Sequence, residues 1–306
     1  MEQASKNNLS TKTHAVVTGG NKGIGFEICK QLASKGITVV LTSRDEKKGL
    51  EAVDKIRSDH DNDITFHQLD VTDPSSIASL ALFIKTQFGK LDILVNNAGI
   101  SGIILDYNAL AKASEAAGGG WPAGKHVDWS KMAIRSYELE EACLKTNYYG
   151  TKRTTEALLP LLCLSQSANI VNVSSLLGLL QNIESERVEA VFGCDDVEEI
   201  TMEKMDNLIN EFLRDCKEDK LEANGWPRSA YQLSKAAMNA YTRILAKQYT
   251  SICVNSVSPG FVKTDINGGL ASLTAAEGAE FAVRLALLPS GSPSGCFFKK
   301  LEQTCF

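Results

Sequence analysis

The chain has 306 residues, 43% of them hydrophobic and 23% charged, with a formal net charge of -5. Such a length carries one large α/β core, and such usage excludes a wholly disordered polymer. The negative balance excludes broad binding along a nucleic-acid backbone, yet leaves room for a local basic pocket that holds a single phosphate.

Short β-branched runs at His14–Thr18, Thr38–Thr42, Ile64–Leu69, Ile93–Asn96, Ile170–Val173 and Ile252–Val257 alternate with helix-patterned segments. The alternation predicts an α/β chain with a doubly wound, Rossmann-type parallel sheet and helices on both faces, as one domain over residues 1–306. Strands that read as continuous apolar runs, such as Ile93–Val95, are what burial on two faces requires. A β-α-β start places a nucleotide site early in the chain.

The first run leads into Thr18-Gly-Gly-Asn-Lys-Gly-Ile-Gly25 and then a helix whose end Gly36 marks. Glycines there let the backbone turn tightly and approach a pyrophosphate, while the helix N-terminus offers free N–H groups and a partial positive charge. The end of the second run selects the dinucleotide: a carboxylate suits a ribose 2′-OH, whereas a 2′-phosphate needs cations. Ser43 and Arg44 stand there with Lys22 in reach, which favours NADPH; Asp45 would favour NAD if it faced the ribose instead. Asp70, after the third run, suits the adenine amino group, and DVTDP also reads as turn chemistry. Asn96–Gly99, NNAG, ends the fourth run, where small residues let the chain pass close to adenine and ribose; Asn97 also serves as a strand-terminating cap.

Residues 101–136 are too long for a simple connection and predict a lid-like insertion, with turn-rich GGGWPAG at Gly118–Gly124 as a loop within it. Asn147 follows in TNYYG, on the helix before the fifth strand, placed to hold a water that links a lysine to solvent. Asn172–Ser175, NVSS, ends that strand at the carboxyl edge where open α/β sheets bind ligands, and a serine hydroxyl there can stabilise charge on a substrate oxygen. A second insertion, residues 182–226, carries Met205, Leu208, Ile209, Phe212 and Leu213 at helical spacing, so an amphipathic helix should dock on the body. Tyr231 and Lys235 then share a helix face at i, i+4. The ammonium, together with the positive nicotinamide of an oxidised cofactor, is expected to bring the phenol down from its ordinary value of about 10 towards working pH. Pro259–Thr264, PGFVKT, follows the sixth strand, where Thr264 and backbone groups can orient a nicotinamide carboxamide.

Thr18-Gly-x-x-x-Gly23-x-Gly25, NNAG, Asn147, NVSS, Tyr231-x-x-x-Lys235 and Pro259-Gly260, together and in this order, resemble the short-chain dehydrogenase/reductase family. The resemblance implies Asn147, Ser175, Tyr231 and Lys235 as the catalytic tetrad, Ser174 being the alternate serine. It further implies cofactor contacts at Thr18, Gly19, Asn21, Lys22, Gly23, Ile24, Gly25, Ser43, Arg44, Asp70, Val71, Asn97, Ala98, Gly99, Tyr231, Lys235, Pro259, Gly260, Val262 and Thr264. Ser175 and Tyr231 stand 56 positions apart, more than in most members. That spacing, the NKGIG loop and NGWP at Asn224–Pro227 look like the plant salutaridine reductase and menthone reductase branch and its carbonyl-reductase relatives. The branch implies a monomer that reduces ketones of terpenoids and alkaloids in plant specialised metabolism.

A non-catalytic NADPH-binding sensor on the same fold is the rival reading, and an intact tetrad argues against it. A sugar-nucleotide epimerase is disfavoured because too few residues follow Thr264 for a separate substrate domain. Eight scattered cysteines, with no CxxC pair and no zinc-type spacing, give no metal site and point to a reducing compartment, the cytoplasm. The first 13 residues lack an apolar h-region and no run is long enough to span a bilayer, so neither membrane nor nucleic acid is an expected partner.

Overall fold

A computed structural model describes residues 12–59, 63–116, 131–193, 197, 200–227 and 229–304. The first half supplies β1 (His14–Val17), α1 (Gly23–Ala33), β2 (Thr38–Ser43), α2 (Glu46–Asp59), β3 (Ile64–Gln68), α3 (Pro74–Phe88) and β4 (Ile93–Asn96). The first insertion contributes β5 (Ile104–Leu105), α4 (Tyr107–Ala116) and β6 (Ala133–Ile134), the two strands pairing antiparallel. Then come α5 (Tyr137–Leu144), a π-helical stretch at Lys145–Gly150, α6 (Thr151–Leu162), β7 (Ala168–Val173), α7 (Glu186–Phe192) and α8 (Met202–Lys217). The chain closes with α9 (Ala230–Gln248), β8 (Ile252–Ser258), α10 (Ala275–Ala286), β9 (Phe297–Lys299) and β10 (Glu302–Thr304).

The sheet runs β10-β9-β8-β7-β4-β1-β2-β3, parallel except for the β9–β10 hairpin. Strand order therefore reverses between β1 and β4, and the carboxyl ends of those two strands open the crevice where such sheets bind ligands. Side chains alternate between two cores: Val16, Val40, Leu94, Ile170 and Val254 enter one, while Ala15, Val17, Val39, Leu41, Ile93, Val95 and Val171 enter the other. Both faces are thus covered by helices, as the unbroken apolar strands require. Local signals set the helix ends. In α3, Asp73 caps the Ser75 amide, Pro74 occupies the first turn, and Gly89 ends the helix at φ +74°. The β9–β10 hairpin was not among the six expected strands; the last 42 residues extend the sheet instead of forming a second unit.

The second insertion docks through its apolar stripe. Met205, Leu208, Ile209 and Phe212 are buried in the same core as Leu144, Tyr148, Leu233 and Tyr241, and Leu213 packs at its edge. The Phe212 ring meets Trp226 edge-on at 5.6 Å. Asp215, buried on α8, accepts from Trp226 Nε1 at 2.8 Å and from Asn224 Nδ2 at 2.7 Å. NGWP is thus a clamp that fastens the approach to α9. The Gly118–Gly124 loop lies outside the described residues.

Candidate active site

The loops after β1 and β4 are latched together. Thr18 Oγ1 accepts from the amides of Asn97 (2.9 Å) and Ala98 (3.0 Å), and Asn97 Nδ2 donates back to the carbonyls of Thr18 (2.9 Å) and Gly19 (3.1 Å). A Cβ on Gly25 would lie 2.3 Å from the Gly19 carbonyl oxygen and 2.4 Å from Asn97 Nδ2, so only glycine lets α1 start this close to the turn. Gly19 and Gly23 sit at φ +66° and +56°, conformations open to glycine. Asn21, Lys22 and Gly23 form the turn, and Ile24 packs into the core beneath α1. No side chain caps the α1 N-terminus at Lys22, so its first amides face the crevice. These features fit the pyrophosphate of a dinucleotide.

At the end of β2, Ser43 is buried and its hydroxyl donates to the Asp45 carbonyl at 2.6 Å. The Asp45 carboxylate turns back to accept from the Lys48 amide at 3.0 Å, a bond that holds its carboxyl below the usual range. Asp45 therefore caps α2. Arg44 is exposed, and its guanidinium meets no carboxylate among the described residues. Lys22, in the glycine loop, is ion-paired with Asp265, both side chains being exposed. Asp70 Oδ1 accepts from Thr72 N (2.9 Å) and Thr72 Oγ1 (2.7 Å), so the turn role is real and one carboxylate oxygen is left for a ligand. Val71 is buried under Gly150 of the π-helical stretch. Beyond Pro259 and Gly260 (φ +86°), Val262 bridges to Leu273, and the Thr264 amide donates to Asn267 Oδ1 at 3.2 Å while its methyl lies 3.5 Å from where a Cβ on Gly23 of the glycine loop would stand.

Tyr231 lies in the first turn of α9, one turn before Lys235, and the Ser175 hydroxyl lies near enough to pull its phenol pKa down. Ser174 is turned into the core, its hydroxyl donating to the Lys235 carbonyl at 3.4 Å. Lys235 is buried; its ammonium donates to the Val173 carbonyl at 2.8 Å and sits 5.7 Å from the centre of the Tyr231 ring. The backbone of Gly99 passes between Lys235 and Asn147, where a Cβ would lie 3.7 Å from the ammonium and 3.2 Å from Asn147 Oδ1.

Asn147 is fully buried within the π-helical stretch, not on a regular helix as its surroundings suggested. Its side chain is saturated by protein: Oδ1 accepts from Ile100 N (2.9 Å), and Nδ2 donates to Ile100 O (3.0 Å) and Ser234 Oγ (3.0 Å). It pins the chain after NNAG to α9. π-Helical insertions recur at functional sites because the extra residue redirects a side chain.

Electrostatics set the protonation of the pair. Burial pushes the Tyr231 phenol up to about 12 against the opposing pull of Ser175, and burial lowers Lys235 to about 8. Both groups are buried, and desolvation disfavours each charged form. Residues not singled out from sequence also build the site: Cys143, whose thiol donates to the Ile100 carbonyl at 3.4 Å, and Ser234, which joins Asn147 to the Tyr231 carbonyl (2.8 Å). Glu140 and Cys143 on α5 and Asn147 in the π-helical stretch that follows recur at helical spacing, a face that the sequence did display.

Residues 13–187 match the sequence pattern described as short chain dehydrogenase, and residues 221–288 match one described as enoyl-(acyl carrier protein) reductase. The chain belongs to the short-chain dehydrogenase/reductase family, oxidoreductases that use a nicotinamide cofactor. It is 56% identical to short-chain dehydrogenase/reductase 1 of Saponaria officinalis over 302 residues, covering 97% of each protein. It is 53% identical to (+)-neomenthol dehydrogenase of Arabidopsis thaliana, covering 97% of this chain and 99% of that relative. Its fold superimposes on the structure of salutaridine reductase from Papaver somniferum with a TM-score of 0.87 at 49% identity, covering 94% of this chain and 99% of that one. Among the described residues no helix is long and apolar enough to cross a membrane.

Proposed function

We propose that the chain is an NADPH-dependent carbonyl reductase that delivers hydride to the ketone or aldehyde of a small hydrophobic substrate, of terpenoid or alkaloid type, and that it works as a monomer. The observation that carries this reading is the meeting of Ser175, Tyr231 and Lys235, braced by Asn147, at the sheet edge beside the glycine loop. NADPH supplies the hydride when bound. Thr18 to Gly25, Asp70 and Asn97 to Gly99 hold its nucleotide half, and Pro259 to Thr264 flank its nicotinamide end. Arg44 suits a 2′-phosphate, the more so because Asp45 is committed to capping α2.

Ser175 positions the substrate carbonyl oxygen by hydrogen bonding. The Tyr231 phenol, raised by burial, is protonated at neutral pH, which is the form that reduction needs: its hydroxyl donates a proton to the oxygen as negative charge develops there. General acid catalysis of this kind contributes roughly 10²–10⁴-fold. Lys235, cationic below about pH 8, stabilises the phenolate left behind. Ile100, Ile104, Tyr107, Ile134, Leu177 and Ile266 are exposed around the insertion and the sheet's carboxyl edge, and apolar exposure on that scale suits a hydrophobic ligand. The names of the relatives, (+)-neomenthol dehydrogenase and salutaridine reductase, support a terpenoid or alkaloid carbonyl.

The test is NADPH oxidation by purified protein, followed by absorbance, against terpenoid, alkaloid, steroid and quinone carbonyls, with NADH in parallel. Turnover of a cyclic ketone or a dicarbonyl with preference for NADPH is expected. Tight NADPH binding without turnover of any carbonyl would favour a sensor and refute the reductase reading.

A further inference from the structure

We propose that Glu140 is a positioning residue for Tyr231, and that with Arg135 it ties the first insertion to the catalytic helix. The proposal rests on the reading of Tyr231 as the acid. Glu140 lies on α5 at 2% exposure, and a carboxylate so deep must be fully bonded to be tolerated. Both of its oxygens are engaged. Oε2 accepts from the backbone amide of Ala230 at 2.6 Å, and Oε1 accepts from Arg135 Nε at 2.8 Å and from Arg135 Nη2.

Ala230 is the first residue of α9 and the immediate neighbour of Tyr231. Its amide is one of those a helix cannot satisfy internally, and a carboxylate there also meets the positive end of the helix dipole. Ser229 caps the Gln232 amide, so Glu140 supplies, from another helix, an anchor that the local sequence does not. With one oxygen on that amide, the height and tilt of the first turn of α9 follow α5. The distance between the phenol and Ser175 depends on that turn.

Arg135 adds the second half. It directly follows β6 of the insertion and precedes the Ser136 cap of α5. Its guanidinium, 44% exposed in its side chain, reaches inward to grip the buried carboxylate. A displacement of the β5–β6 ribbon, whose Ile104 and Ile134 are exposed, therefore pulls on Glu140 and through it on Ala230. Further along the seam Asn147 bonds Ser234, so α5 and α9 are joined one turn beyond Tyr231 as well. The Glu140 contact controls the end that bears the acid.

The experiment compares Arg135→Met, Arg135→Lys and Glu140→Gln with wild type on the full chain. Hydrogen exchange is read at residues 229–235, and kcat, KM and NADPH affinity are measured beside it. Arg135 bonds Glu140 and not α9 itself, yet Arg135→Met should speed exchange in the first turn of α9 by about tenfold, and Arg135→Lys should restore most of the protection. Glu140→Gln keeps an oxygen for the Ala230 amide but loses the ionic grip, and should behave like Arg135→Met. Both should lower kcat about tenfold with NADPH affinity within twofold of wild type. Unchanged exchange at 229–235 in both variants, or loss of kcat only in step with NADPH affinity, would overturn the proposal. If wild type reduces no carbonyl, the functional reading fails, and the exchange measurement still decides whether Glu140 holds the turn.

Discussion

Replacing Lys235 by methionine should make the protein more stable at neutral pH while destroying its turnover. Lys235 is 4% exposed, and its ammonium donates to the Val173 carbonyl at 2.8 Å. Burial lowers it from 10.5 to about 8, which at about 1.36 kcal/mol per pH unit is a penalty of about 3 kcal/mol for holding the cation in the folded chain. The sign follows from linkage. The folded value lies below the unfolded one, so the unfolded chain binds more protons between them and stability rises with pH across that window. The penalty is complete below about pH 8 and vanishes as pH passes 10.5. Methionine fills similar space without a charge. In denaturant unfolding, Lys235→Met should therefore exceed wild type by up to about 3 kcal/mol at pH 7, with the gap narrowing to about half by pH 9.5. A variant less stable than wild type at pH 7, or a gap that ignores pH, would show that the ammonium is well solvated where it sits and would refute the argument. Reductase turnover should fall together with the gain, since strain of this kind persists at functional sites because function retains it.

Tyr231→Phe should lose about 10²–10⁴-fold in kcat with NADPH affinity nearly unchanged, and a variant that keeps more than half of kcat would remove Tyr231 from the mechanism. Arg44→Ala, above all with Lys22→Ala, should weaken NADPH far more than NADH; an equal kcat/KM ratio for the two cofactors in the double variant would place the phosphate elsewhere. Phe212→Asp puts a charge into the docked face of α8 and should lower stability by at least about 4 kcal/mol while light scattering reports a monomer before and after. A wild-type dimer that this change splits would sink the monomer proposal.

Six parallel strands, the glycine loop and the Tyr231–Lys235 helix were legible because each rests on a local pattern: continuous apolar runs, glycines at fixed spacing, side chains one turn apart. The β9–β10 hairpin was not, since three-residue strands carry too little alternation to stand out. Asn147 was found as a residue but misplaced as to backbone, because a π-helical stretch leaves no periodic mark in its sequence. Asp45 shows how two meanings of one residue separate only in three dimensions. The same carboxylate that would mark a ribose can cap the next helix, and the Lys48 amide shows where it went. Tyr231 adds a second limit. Proximity of a lysine is readable from spacing, but the depth at which both groups lie is not, and here burial raises the phenol and lowers the ammonium.

That imbalance bears on why so much chain stands between Ser175 and Tyr231. Helix α9 buries a lysine, and it begins with a phenol that must stay within reach of a serine on a different strand. Such a helix cannot rely on its own packing to keep its first turn in register, because each buried polar group has an alternative in water. The insertion answers this from one side: Asp215 on α8 grips Asn224 and Trp226, and Phe212 packs on the Trp226 ring just before α9 begins. Glu140 answers it from the other side at Ala230. Two buried carboxylates on separate helices thus bracket the entry to the catalytic turn, and the apolar stripe of α8 supplies about 1.5–3 kcal/mol for each buried side chain that holds one of them in place. The added helices are in this sense part of the active site, although none of their side chains needs to touch the reacting atoms.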